Sequence, residues 1–150
     1  MVKQPVADEL IFVTADLSTE LPLPYVDGGI HAGFPSPAQD YVDKSLDLNR
    51  DLIKHPAATF YARVVGDSME PEMYVGDILV VDRSIDPFDG CAAVCFLNGE
   101  FTIKRQNLKE RERGVIWLVP DNQKYDPIRV SGDEQFEIWG VVRFVIHATV

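Results

Sequence analysis

Long hydrophobic runs are missing from this chain of 150 residues. No stretch approaches the ~18 apolar residues that a membrane span needs. The opening Met1-Val2-Lys3-Gln4-Pro5-Val6-Ala7-Asp8-Glu9 has no basic region followed by an apolar core, so no secretory leader is expected. Cysteine is scarce. Cys91 and Cys95 are the only two, and four strand residues between them span roughly 13 Å at about 3.3 Å each. That exceeds the ~7 Å Cα limit of a disulfide, so both read as small core residues of a protein kept in the reducing cytoplasm. Histidine is scarce too. His31, His55 and His147 are scattered without metal-ligand spacing, and no metal or cofactor is expected. Repeats and low-complexity segments are lacking.

Basic charge is outnumbered. Fourteen Lys and Arg face 24 Asp and Glu, for a net charge of −10. Five acids (Asp8, Glu9, Asp16, Glu20, Asp27) and Lys3 give residues 1–32 a charge of −4, which leaves −6 for residues 33–150. Such a surface repels phosphate, so direct DNA binding by this chain alone is not expected. Any link to nucleic acid would run through a protein partner. Arg105, Lys109, Arg111 and Arg113 form a small basic cluster, but Glu110 and Glu112 interleave with it, and it reads as a solvated loop.

What is present is a chain with 46% hydrophobic residues, enough for one domain with a real core. Residues 1–32 read as a tail, because Pro5, Pro22, Pro24, Gly28 and Gly29 break any long element. Within it, Leu10–Thr14 suits a short strand. Ser36 as cap and Pro37 at the first helical position predict a helix over 36–54. Tyr41, Val42, Leu46, Leu48, Leu52 and Ile53 supply its apolar face, with a split into two short helices near Asp47. Beyond Pro56 the pattern is strand. Strands are predicted over 59–65, 77–83, 91–97, 101–106, 115–119, 128–130 and 136–146. Asn98-Gly99 marks a tight hairpin, since both residues tolerate positive φ.

Two residues carry chemistry. Ser68 lies in Val65-Gly66-Asp67-Ser68-Met69, where Gly66 is expected to let the backbone turn tightly. Lys104 lies in Glu100-Phe101-Thr102-Ile103-Lys104-Arg105, on the return strand of the predicted hairpin. A serine hydroxyl is a poor nucleophile without a base, and a lysine serves as that base only when desolvation favours its neutral form. Alternation puts Phe101 and Ile103 on the face opposite Lys104, so the desolvating groups must come from elsewhere in the fold. The backbone amides of Asp67 and Ser68 are candidates for an oxyanion hole. Upstream, Ala32-Gly33 sits ahead of Phe34-Pro35-Ser36-Pro37. Two small residues before a stiff segment suit a bond that the chain's own serine could reach. Taken singly, a serine in a turn and a lysine on a strand are ordinary features. Their order with the Ala-Gly bond makes them specific.

Over residues 30–150 the chain resembles the UmuD family of SOS-mutagenesis accessory proteins and, more broadly, the LexA-type self-cleaving peptidases. The carriers are Ala32-Gly33-Phe34-Pro35-Ser36-Pro37-Ala38 with Asp40-Tyr41-Val42, Asp47-Leu48-Asn49, His55-Pro56-Ala57-Ala58-Thr59, Gly66-Asp67-Ser68-Met69, Gly76-Asp77-Ile78-Leu79-Val80-Val81-Asp82, Gly99-Glu100-Phe101-Thr102-Ile103-Lys104, and Gly140-Val141-Val142. The resemblance implies a mainly β, LexA/UmuD/signal-peptidase-like β-clip fold with one or two short helices and an extended N-terminal tail. It matches Ser68 to the nucleophile, Lys104 to the general base and Ala32-Gly33 to the cleavage site. Residues 1–32 would then be a cleavable tail and 33–150 the self-cleaving domain. It implies a homodimer and self-cleavage stimulated by a RecA filament on single-stranded DNA. It also implies that the trimmed product joins a Y-family, UmuC-like catalytic subunit in a translesion polymerase of the polymerase V type. The chain departs from the family in having Ala32 where many members have cysteine, and in a longer tail. Thr19-Glu20-Leu21-Pro22-Leu23-Pro24-Tyr25 bears a faint resemblance to a tail segment proposed to touch the sliding clamp, although a proline-rich linker is the preferred reading.

Three other functions compete. A LexA-like or prophage repressor needs a basic helix-turn-helix, which 32 acidic, proline-broken residues do not supply. A signal peptidase acting in trans needs a membrane anchor. A binding module with a vestigial dyad would not need both Ser68 and Lys104.

Overall fold

The computed structural model describes residues 10–14, 16, 18–26 and 42–150. Two compact units divide the chain, one made of residues 1–15 with 57–150 and the other of residues 16–56.

The larger unit is antiparallel sheet. Its strands are β1 (Leu10–Thr14), β4 (Thr59–Val64), β5 (Ile78–Asp82), β6 (Ala92–Leu97), β7 (Glu100–Asn107), β8 (Ile116–Val119), β9 (Ile128–Val130) and β10 (Phe136–Ile146). They lie in the order β1-β4-β5-β10-β6-β7-β8-β9. The fold is therefore mainly β, as the resemblance implies. The long β10 reaches both β5 and β6 through two register shifts, one between Ile138 and Gly140 and one between Val142 and Phe144. Gly140 is required at the first, because a Cβ there would stand 2.7 Å from Val81 Cγ1. The core gathers Leu10, Ala62, Val64, Met69, Met73, Leu79, Val81, Val94 and Ile103.

Every predicted strand is found, within two residues at each end. The Asn98-Gly99 hairpin closes β6 on β7 with both residues at positive φ, 49° and 90°. Leu97 pairs with Glu100 across it. Gly66 is different. The glycines at positive φ are Gly76, Gly90, Gly99 and Gly114, so the turn before Ser68 does not use the left-handed freedom expected of it.

The smaller unit corrects the reading of 36–54. Ser36, Pro37 and Tyr41 lie outside the described residues. Val42–Leu46, expected to be helical, is strand β3, paired antiparallel with β2 (Leu23–Val26), a strand the sequence did not suggest. The hydrogen-bonding partner supplied by 23–26 decides the conformation of 42–46, and a loose apolar periodicity does not outweigh it. Among the described residues of this segment, α1 (Leu48–Leu52) is the helical part. Asp47 caps it by accepting from the N–H groups of Asn49 and Arg50 through Oδ1, while Oδ2 accepts from the Leu21 N–H at 2.9 Å.

Candidate active site

Ser68 stands just beyond β4, on a loop fastened from two sides. On one side Met69 and Met73 are buried in the core. The N–H groups of Glu72 and Met73 both donate to the Met69 carbonyl, each at 2.9 Å, which winds one tight turn after the serine. On the other side the segment after β8 holds the loop. The Asn122 N–H donates to the Ser68 carbonyl at 3.0 Å, and Asn122 Nδ2 donates to the Asp67 carbonyl at 2.9 Å. The Asp67 carboxylate accepts a short hydrogen bond from the Tyr125 hydroxyl and an ion pair from Lys124 Nζ at 3.3 Å. The Tyr125 hydrogen bond, followed by that of Lys124, holds the Asp67 carboxyl below its ordinary pKa. Asn122, Lys124 and Tyr125 were not singled out from the sequence. The turn-forming run Pro120-Asp121-Asn122 after a strand was the available signal.

Lys104 arrives from β7. Thr102, Lys104 and Gln106 share one face of that strand, and all three are buried. Opposite them on β6, Ala93 pairs with Lys104 and Cys95 with Thr102, so small apolar side chains flank the lysine stem. These are the desolvating groups that the sequence could not name. Lys104 Nζ donates to Ser68 Oγ at 3.0 Å and to Thr102 Oγ1 at 2.8 Å. Ser68 and Lys104, 36 residues apart, are each 4% exposed. The same 3.0 Å separation also serves a serine hydroxyl donating to a neutral amine, which is the direction a general base requires.

Below the lysine, Gln106 Nε2 donates to the Lys104 carbonyl and to Cys95 Sγ, both at 3.0 Å. Burial pushes the Cys95 thiol up to about 12. Both cysteines are free and buried, as expected. Arg105, the next residue on β7, is engaged by a carboxylate. It forms a two-point pair with Asp121, Nη2 to Oδ2 at 2.6 Å and Nε to Oδ1 at 3.2 Å. That pair anchors the residue next to Asn122 to the strand of Lys104. His147 Nδ1 lies 2.6 Å from Asp77 Oδ1.

Of the two amides expected at an oxyanion site, the Ser68 N–H has no acceptor among the described residues. The Asp67 N–H contributes to lowering the pKa of its own carboxyl and is the less open of the two. Ala32, Gly33 and His31 lie outside the described residues. No helix among the described residues is long and apolar enough to cross a membrane, and none of their His, Cys, Asp and Glu side chains cluster for a metal.

A mainly β domain that buries a serine against a lysine places the molecule among the β-rich peptidase domains. A family model for Peptidase S24-like proteins matches residues 24–143. The chain is 45% identical to Protein SamA of Salmonella typhimurium over 119 residues, 79% of this chain and 80% of that protein. It is 40% identical to Protein MucA of Escherichia coli over 134 residues, 88% of this chain and 89% of that one. It is also 30% identical to the LexA repressor of Colwellia psychrerythraea over 123 residues, 81% of this chain and 56% of the repressor. The chain belongs to the Peptidase S24-like family, and the resemblance to UmuD and LexA-type proteins is borne out.

Proposed function

We propose that this protein cuts itself between Ala32 and Gly33 and then serves, without its tail, as the accessory subunit of an error-prone translesion polymerase. The observation that carries the proposal is the buried hydrogen bond between Ser68 Oγ and Lys104 Nζ at 3.0 Å. Both groups are buried, and the amine also donates to Thr102 Oγ1 at 2.8 Å, so the serine hydroxyl and its proposed base are held in contact away from bulk water.

The chemistry then proceeds in two steps. The neutral Lys104 amine takes the Ser68 proton as Oγ attacks the Ala32 carbonyl carbon. The tetrahedral oxyanion is held by the N–H of Ser68, with that of Asp67 beside it. Collapse breaks the Ala32–Gly33 bond, and the Lys104 ammonium returns the proton to the Gly33 amine. The ester left between Ala32 and Ser68 is hydrolysed by a water that Lys104 deprotonates in turn. Small side chains at 32 and 33 allow the close backbone approach this requires.

Cleavage is stimulated by a RecA filament on single-stranded DNA, the protein works as a cytoplasmic homodimer, and the product pairs with a Y-family catalytic subunit. The family relationship and the net charge of −10, which disfavours direct DNA contact, support this reading. The test is intact-mass measurement after incubation with RecA, single-stranded DNA and nucleotide, followed by co-purification with a Y-family polymerase. A new N-terminus at Gly33 is expected. A product starting elsewhere contradicts the assigned bond, and tight, salt-sensitive operator binding by the chain alone would favour a repressor instead.

A further inference from the structure

The outermost strand of the large sheet comes from the tail. β1 pairs antiparallel with β4 over five residues, from Leu10 opposite Val64 to Thr14 opposite Phe60. Leu10 is 5% exposed and packs into the main core with Ala62 and Val64. Among the described residues it is the one strand of this sheet that lies N-terminal to Ala32, and the chain between it and β4 runs through the whole of the 16–56 unit.

Such a strand covers an edge. Without it, alternate residues of β4 would present bare N–H and C=O groups beside an apolar notch where Leu10 sits, and an edge of that kind is a template for another strand. What holds β1 there is largely its tether. A linked segment docks against an effective concentration on the order of millimolar, whereas a cut one must bind from bulk solution. Five paired residues make a short ligand once the tether is gone, so scission of the intervening chain releases it at micromolar protein.

We propose that the β4 edge is a strand-acceptor site, closed by Leu10–Thr14 in the intact chain and opened when the connection downstream of β1 is cut. Its occupant after opening is an extended segment of a partner protein, paired antiparallel to β4 by main-chain hydrogen bonds, with an aliphatic residue at the place of Leu10. The physiological trigger rests on the self-cleavage proposed above; the site itself does not.

The experiment separates the two. A chain carrying Ser68→Ala and the recognition sequence of an unrelated protease inserted after Gly33 is cut by that added protease, so native self-cleavage plays no part. Hydrogen exchange across β4 and binding of a fluorescent peptide with the sequence Ala7–Asp16 are measured before and after the cut. The expected result is that the tail separates on gel filtration at micromolar concentration and alternate β4 amides lose protection. The peptide then binds the cut chain only, and a Leu10→Asp version of it binds at least about tenfold more weakly. Tail retention, unchanged β4 protection, or equal peptide binding to cut and uncut chain overturns the proposal. So does a cut chain that pairs with itself through β4 and takes no peptide.

Discussion

Lys104 and Ser68 meet in one hydrogen bond but are held by different means. Lys104 sits on β7, where the ladder to β6 fixes its backbone and the pleat aims its side chain at the same face as Thr102 and Gln106. Ser68 sits on a loop with no ladder. Its backbone is held by hydrogen bonds from Asn122, by the Tyr125 and Lys124 contacts to Asp67, and by the buried Met69 and Met73. Strand geometry resists distortion collectively, because many parallel bonds share the load. The loop depends on a few polar contacts, each of which can be removed alone. Damage near Lys104 should therefore appear as lost stability, and damage around Ser68 as lost rate.

The largest effect should come from removing either proposed reacting group. Ser68→Ala and Lys104→Ala should each lower self-cleavage on the order of 10⁴-fold or more while leaving the sheet folded, measured by gel and by circular dichroism. In the parent chain the unstimulated first-order rate should rise from neutral toward alkaline pH, because only the neutral amine can accept the serine proton. A flat or falling profile in a folded protein rules out lysine as the base.

The comparison is sharpened by pairing one strand and one loop variant. Ile103→Ala, beside Lys104 but in the core, should lose about 2–5 kcal/mol in urea unfolding and cleave normally where folded. Asn122→Ala should slow cleavage about 10- to 100-fold, the scale of a small misplacement of a reacting atom, with little change in stability. Equal effects of both variants on both measurements would erase the distinction.

Acid should act on the loop before the strand. The Asp67 pKa is depressed by the Tyr125 hydrogen bond first and by Lys124 next. Its contribution is present above the ordinary carboxylate pKa, about 3.9, and is lost as pH falls through the depressed folded value. Asp67→Asn should therefore flatten the part of the acid stability profile below about pH 4, as followed by thermal melts. An unchanged profile would remove Asp67 from the clamp.

The smallest effects belong to the floor under Lys104. With its thiol pushed up to about 12 by burial, Cys95 should resist alkylation near neutral pH until the protein is unfolded, as mass spectrometry would show. Gln106→Met loses two hydrogen bonds of the amide nitrogen but also removes the buried Oε1, which has no partner among the described residues. The net change should stay within about 1.5 kcal/mol. A larger loss would mean that Gln106 carries the placement of Lys104.

The sequence alone was enough for much of this. β-Branched runs and the Asn98-Gly99 turn located every strand of the large sheet, because strand pattern and turn chemistry are local properties. Ser68 and Lys104 were also visible, since their order along the chain with the Ala32-Gly33 bond stands out. The sequence misjudged Val42–Leu46, whose conformation is set by a partner strand at 23–26. It also missed Asn122, Lys124 and Tyr125, ordinary turn residues until the fold brings them against Asp67 across 55 to 58 positions. The burial of Lys104 was likewise undecided in one dimension. Alternation showed which neighbours could not desolvate it, and only the pairing of β7 with β6 supplied Ala93 and Cys95 to do so. Local chemistry names the candidate groups, but their surroundings come from distant segments, and those are assigned only when the chain folds.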